Sequence, residues 1–297
     1  MNRTLSRGLV VVGLAVTGYA TALAWADGAA AWAALQRLGL GTALGVTALC
    51  LLNYLLRGLR WRRWMAAQGR DFGLAEGLRL YVAGYALTPT PGSVGEAARG
   101  LWLAERPLDA PRALAVFGAE RLADLAALGL IALPALGWLL LAHPALGWIA
   151  TLLAGVAGLA AWVLRSRWRA RLGWLQAASR CLAERPLGWL VPTLAAWAAQ
   201  GLAVALLCRQ LGIDIGTLDA AAAYAAAMIG GALSTLPAGL GGTELGLVAL
   251  LAAQGASSAQ AVAATLLARL FTLWLAVALG ALALLYSAFA VRDIRLA

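Results

Sequence analysis

The chain has 297 residues, 63% of them hydrophobic and 12% charged, with a formal net charge of +10 and a mean hydropathy of +0.82. So apolar a composition excludes an ordinary soluble domain and a disordered chain, and places most of the protein in lipid. The basic residues are all arginines grouped between apolar runs, which favours topology signals and contact with anionic lipid heads over nucleic acid as a partner.

Taken in chain order, the segments Gly8–Ala26, Leu38–Leu56, Leu114–Leu141, Ala145–Leu164, Leu187–Cys208 and Ala259–Ala290 are apolar. Each comes close to, or exceeds, the roughly 20 residues needed to cross a bilayer core. Gly8–Ala26 has no small-residue cleavage site leading into a soluble domain and reads as a retained span. Two further regions, Leu74–Leu103 and Thr217–Gln254, are interrupted by "LTPTPGSVGEAARG" (Leu87–Gly100) and "LSTLPAGLGGTELG" (Leu233–Gly246). Leu74–Thr88 would rise roughly 22 Å as a helix, short of the core thickness. The predicted fold is an all-α polytopic membrane protein with six transmembrane helices and two re-entrant helical hairpins.

With a cytoplasmic N-terminus, this layout puts most arginines on the cytoplasmic side and only Arg37 and Arg209 opposite, as the positive-inside rule requires. The expected location is a bacterial cytoplasmic (inner) membrane, with both termini cytoplasmic. "RGLRWRRW" (Arg57–Trp64) and "RSRWRARLGW" (Arg165–Trp174) read as interfacial amphipathic segments, or as topology signals alone. Trp61 and Trp64 would join an aromatic belt, Trp197 and Trp274 would be packing residues in mid-span, and Glu76 and Arg79 would form an i, i+3 surface pair. Cys50, Cys181 and Cys208 show no disulfide or metal spacing and read as small buried residues.

The two breaks resemble each other. Placing Pro91 on Pro237 aligns Gly84 with Gly230, Leu87 with Leu233, Thr88 with Ser234 and Gly95 with Gly241. Arg121 in "AERLADLAALGL" likewise meets Arg269 in "LARLFTLWLAVALG". An odd number of crossings per half gives the halves opposite orientations, so residues 1–143 and 144–297 read as two inverted repeats of one membrane domain. Broken helices at matching positions point to a site near the midplane.

Proline ends the incoming half-helix and glycine lets the chain turn. The outgoing half-helix would then aim its N-terminus, with free N–H groups, into the protein and favour an anion. Glu96, Glu120, Arg121, Asp124, Glu244 and Arg269 lie in or beside apolar stretches, where ionisable groups turn inward and pair. The expected pairs are Arg121 with Glu96 or Asp124, and Arg269 with Glu244. No His/Cys cluster suits a metal and no nucleophile–base pair is evident. His143, the only histidine, sits in a proline-flanked turn and is a poor candidate for a base.

"NYLLRGLRWRRWM", "GYALTPTPGSVGEAARGLWL", "AERLADLAALGL" and the long block from "LSTLPAGLGG" to "LAVALG", in that order, resemble the lysylphosphatidylglycerol synthase transmembrane-region family over nearly the whole chain. The resemblance implies a lipid flippase domain. It carries over Pro91, Gly92, Gly95, Glu96, Arg99, Glu120, Arg121, Asp124, Pro237, Gly239, Gly241, Glu244 and Arg269 as candidate site residues, beside Thr88 and Ser234 from the aligned breaks. Family members often carry asparagine where this chain has Thr88. The 297 residues hold no aminoacyl-transferase domain, so a stand-alone translocator without enzymatic activity is expected.

The expected function is movement of an anionic or zwitterionic phospholipid, or a polyprenyl-phosphate-linked lipid, between leaflets. The arginines and half-helix N-termini would sit on the phosphate, with no cofactor. Membrane lipids are the expected partners, and the small residues of "GGALSTLPAGLGG" suit close packing, internal or in a homo-oligomer. The alternatives are a small-anion transporter or channel, an intramembrane enzyme, and a scaffold presenting lipid to a partner lipid-modifying enzyme.

Overall fold

A computed structural model describes residues 33, 36, 38–101, 108–142, 173–234 and 236–294. The expected spans Gly8–Ala26 and Ala145–Leu164, the arginines at 165–171 and His143 lie outside them. Among the described residues the regular structure is helical throughout. The helices are α1 (Leu40–Ala67), α2 (Leu74–Gly84), α3 (Ala98–Leu101), α4 (Ala110–Ala142), α5 (Gly173–Ala183), α6 (Pro186–Gln210), α7 (Thr217–Leu233), α8 (Gly242–Ala253), α9 (Ser258–Arg269) and α10 (Leu275–Ile294). Leu40–Ala67, Pro186–Gln210 and Ser258–Ser287 are long and apolar enough to cross a membrane, whereas Thr217–Leu233 and Pro237–Ala253 are shorter apolar helices.

Local chemistry sets the helix ends. Asp109 Oδ1 accepts the N–H of Arg112 at 3.1 Å, capping α4. Ser257 and Gln260 exchange hydrogen bonds at the start of α9, each side chain accepting the other's N–H, a capping box. α6 opens on Pro186 and also contains Pro192. Pro192 has no N–H for the carbonyl four residues back, and that carbonyl, Gly188 O, accepts from Arg63 Nη1 at 3.3 Å instead.

α1 corrects the sequence reading. It was expected to end at Leu56, yet it continues to Ala67 and stops where Gly69 turns at φ +76°. Leu44, Leu51 and Leu55 are exposed on one side, while Asn53, Arg57, Arg60, Trp61 and Trp64 are buried. "RGLRWRRW" is therefore an interior helical turn with two inward arginines, and Trp61 and Trp64 are core residues. Arg99, like Arg57 and Arg60, is buried. Arg79 Nη1 donates to Ser287 Oγ at 3.2 Å and does not pair with Glu76. The three cysteines are free and buried, as expected.

α1 packs along α6; alanine-rich α7 packs against α4, α6 and α8; and α10 packs on α2 and on the turn Tyr85–Leu87. Between apolar helices in lipid there is little hydrophobic drive, so close backbone approach and interhelical hydrogen bonds hold the bundle. A Cβ on Gly201 would lie 2.6 Å from Ala221 Cβ, and one on Gly280 would overlap the Ala86 nitrogen. Asn53 Nδ2 donates to Ala196 O at 2.8 Å, and Arg60 Nη1 donates to the Thr193 hydroxyl at 2.8 Å, tying α1 to α6.

The chain is broken twice. In the first break, α2 runs into a 3₁₀ turn (Tyr85–Leu87), followed by a second 3₁₀ stretch (Pro91–Ala97) and the single turn of α3. In the second break, α7 ends at Leu233, a 3₁₀ turn covers Pro237–Gly239, and α8 starts at Gly242. The two proline-led 3₁₀ segments touch each other.

Candidate functional site

Each break holds a non-glycine residue in the left-handed region, Ser93 at φ 53° and Ala238 at φ 53°. Such a conformation costs on the order of 1–3 kcal/mol and persists only where surrounding contacts impose it. Those contacts are hydrogen bonds that lipid cannot supply. In the first break, Thr90 Oγ1 donates to Leu87 O at 2.9 Å and accepts Gly95 N–H at 2.8 Å. A Cβ on Gly95 would sit 2.7 Å from Leu87 O. In the second, Arg269 Nη2 donates to the carbonyl of strained Ala238 at 2.8 Å.

Behind the breaks lies a network of ion pairs. Asp124 receives Arg57 at 2.7 Å, Arg60 at 2.9 Å and the indole N–H of Trp197 at 3.2 Å. Glu96 receives Arg99 at 2.7 Å and the Thr88 hydroxyl at 2.9 Å. Arg99 also stands 3.5 Å from Glu120, whose other oxygen is 4.0 Å from Arg60. Arg121 reaches across, 3.1 Å from Glu96 and 3.7 Å from Asp124. Among the described residues of the second half there is one pair, Arg269 Nε to Glu244 Oε1 at 2.6 Å. Both pairings expected for Arg121 and the one expected for Arg269 are present. Glu96 to Arg121 and Glu244 to Arg269 have the same sequence separation, 25 residues.

Between the two breaks is a cavity of about 140 Å³, lined from both halves of the chain. Arg57, Arg121 and Arg269 face it with Glu96, Thr88 and Ser93, while Tyr54, Tyr85, Trp197, Gln200, Tyr224 and Thr272 form much of the remaining wall. Nine-tenths of such a lining residue is protein-covered in the case of Arg57, Gln200 and Tyr224. Arg121 differs: 31% of its side chain is exposed, against 7% or less for Arg57, Arg60, Arg99 and Arg269.

Of the residues singled out in the sequence, Thr88, Glu96, Arg121, Gly239 and Arg269 line the cavity. Arg99, Glu120 and Asp124 are buried in the network behind it. Pro91 and Gly92 open the first 3₁₀ stretch and Gly95 is its close-packed point. Pro237 opens the second turn, and Ser234 Oγ donates to Gly231 O at the end of α7. Gly241 turns at φ 83° and gives its N–H to Glu244 Oε2 at 2.7 Å.

In that contact the third residue of α8 takes the N–H of the residue before the helix. The first break leads into a 3₁₀ stretch with no full half-helix behind it among the described residues. Arg57, Arg121 and Arg269 are the cationic side chains on the cavity wall among the described residues.

The sequence reading missed Arg57 and Arg60, assigned to an interfacial amphipathic segment or a topology signal, and Trp197, assigned to packing. It also missed Tyr54, Tyr85, Gln200 and Tyr224. Asn53, Arg57, Arg60 and Trp64 follow i, i+4, i+7, i+11, a single helical stripe; that periodicity was the available signal. Nothing local marks Gln200 or Tyr224.

In comparison with known families, the chain matches the one described as the lysylphosphatidylglycerol synthase TM region over residues 10–280. Among curated proteins no match is found.

Proposed function

The chain belongs to the lysylphosphatidylglycerol synthase TM region family, and from that premise we propose that this multi-pass membrane protein is a lipid translocator. A phosphate-bearing head group enters the cavity between the two breaks while its tails stay in the bilayer. The single observation that carries this reading is Arg121. It faces the cavity, it is the most exposed of the five arginines in the ion pairs around the cavity, and both its carboxylates keep other partners if it leaves: Arg99 and Thr88 for Glu96, Arg57 and Arg60 for Asp124. A guanidinium free to change partners suits a phosphate oxygen pair.

In this reading six helices cross the membrane, the two broken segments are re-entrant, and the halves are inverted repeats. The matched Glu–Arg pairs at equal sequence separation support that arrangement. Strained turns that touch at the cavity are where one half would move against the other. The protein serves as a carrier, with no covalent chemistry assigned to its side chains.

The test is leaflet exchange. Purified protein in liposomes, with trace acyl-labelled phospholipid, is treated with a membrane-impermeant quencher. The expected result is exchange well above protein-free vesicles and slowed about tenfold or more in Arg121→Gln, the loss expected for one well-placed charged hydrogen bond. Folded protein that exchanges no lipid, while passing small anions, would replace the lipid reading by the anion-transporter one.

A further inference from the structure

We propose that a second, smaller pocket beside the first break is a water site: one ordered water accepts a hydrogen bond from Arg99 Nη1 and donates one to Glu120 Oε1, joining the break to α4. The proposal does not depend on what the larger cavity carries.

The pocket has a volume of about 10 Å³, and its wall includes Trp61 and Met65 of α1, Arg99 and Gly100 of α3, and Glu120 of α4. All five are buried, Met65 completely. Glu96 lines both this pocket and the larger cavity. A space of that size is about what a single water occupies.

Two of the wall residues carry a buried polar atom without a hydrogen-bond partner among the described residues, Arg99 Nη1 and Glu120 Oε1. The rest of the Arg99 guanidinium is used: Nε donates to Glu96 O at 2.9 Å and Nη2 to Glu96 Oε2 at 2.7 Å. Glu120 stands 3.5 Å from Arg99 Nη2 and 4.0 Å from Arg60 Nη2, both longer than an ordinary N–H···O bond. Arg60 Nη2 has no hydrogen-bond partner either, so a second donor stands beside the same Glu120 oxygen.

An unmade hydrogen bond on a buried charged group is costly, and more so in a low-dielectric interior. The occupant that relieves both atoms must accept from a guanidinium and donate to a carboxylate. A halide only accepts and an ammonium only donates; water does both and fits. A water bridge replaces a direct hydrogen bond with little loss. Its place gives it a task. Arg99 holds Glu96, and Glu96 is the carboxylate that Arg121 meets at the cavity. The water anchors Arg99 to α4 and so steadies the carboxylate when Arg121 changes partners.

The experiment is X-ray footprinting of the purified protein in water enriched in heavy oxygen. The pulse converts a bound water into a radical that adds its oxygen to the side chain beside it, and mass spectrometry reads the labelled residues. Trp61 lines the pocket at 1% exposure, while Trp64, at 7%, is absent from its wall. Trp61 and Met65 are expected to label at least severalfold faster than Trp64, the reverse of their order of exposure. Gly100→Ala puts a methyl 3.6 Å from Ala113 Cβ and 3.8 Å from Met65 Cε, an ordinary contact that fills the pocket, and should remove most of that label. If that variant does not fold, Ala113→Val, from the same wall, replaces it. Trp61 labelling no faster than Trp64 in the native protein, or a filled pocket that labels as the native one does, overturns the water site. So does a high-resolution map in which Arg99 Nη1 and Glu120 Oε1 meet each other directly; a density peak shared by the two atoms supports it.

Discussion

At the scale of single residues, the matched arginines Arg121 and Arg269 have different surroundings, and that difference is measurable. Arg269 is 2% exposed, is the sole ion-pair partner of Glu244 among the described residues and holds the Ala238 carbonyl. Removing it strands a carboxylate and a strained turn, so Arg269→Gln should cost on the order of 3–5 kcal/mol and lower the melting temperature in detergent. Arg121→Gln leaves both its carboxylates paired, so its stability cost should stay within about 1 kcal/mol while exchange falls. Equal melting temperatures for the two variants would remove the distinction. The left-handed residues offer an opposite effect: Ser93→Gly and Ala238→Gly should each raise stability by up to about 1 kcal/mol, because glycine takes that conformation without a Cβ clash. The sequence had flagged both arginines as intramembrane charges. It could not show that one is locked and the other shared, because that depends on which neighbours converge from other helices.

Elements explain why the breaks stay in place. α10 lies against the turn Tyr85–Leu87, and a Cβ on Gly280 would press on the backbone of Tyr85, at 2.8 Å, and on Val82 O, at 2.9 Å. Gly280→Ala should therefore force α10 away from the first break and cost about 1–3 kcal/mol. Gly129→Ala on α4, where a Cβ meets nothing within 4 Å, is the matched control, and thermal unfolding of the two variants compares them. Between α9 and α10 the helix passes through a π turn, Leu270–Trp274, and Tyr54 OH stands 3.1 Å from both Phe271 O and Thr272 O there. π turns leave carbonyls without helical partners, so Tyr54→Phe should cost about 1 kcal/mol, read by the same melting measurement. Among the described residues, the long helices were legible from apolar runs and the two breaks from proline and glycine. The end of α1 was not: arginines after an apolar run read as the membrane surface until partners such as Asp124 and Thr193 are found for them.

Across the whole molecule, the two halves meet at their broken segments, and the cavity is lined from both. If carrying a head group requires the halves to part there, linking the two turns should stop it. Ser93→Cys with Ala238→Cys, joined by a short bifunctional thiol reagent, is expected to abolish exchange and to recover it when a cleavable linker is cut. The native cysteines are buried and compete little for the reagent. Undiminished exchange in the linked protein would mean that the turns do not separate.

The sequence by itself determined the class of the protein: a lipid-embedded helical chain, broken twice by proline and glycine, with acidic and basic side chains too costly to leave facing hydrocarbon. Those properties are local, set by composition, spacing and the fixed chemistry of single residues, and they also fixed the pairs Glu96–Arg121 and Glu244–Arg269 closely enough to name. Tertiary structure alone decided that Arg57 and Trp197 line the cavity, that Arg60 joins the ion pairs behind it, and that Glu244 both pairs with Arg269 and takes the Gly241 N–H. Each of these depends on side chains far apart in sequence sharing one low-dielectric space, where the energy of a charge is set by its neighbours and not by its position along the chain.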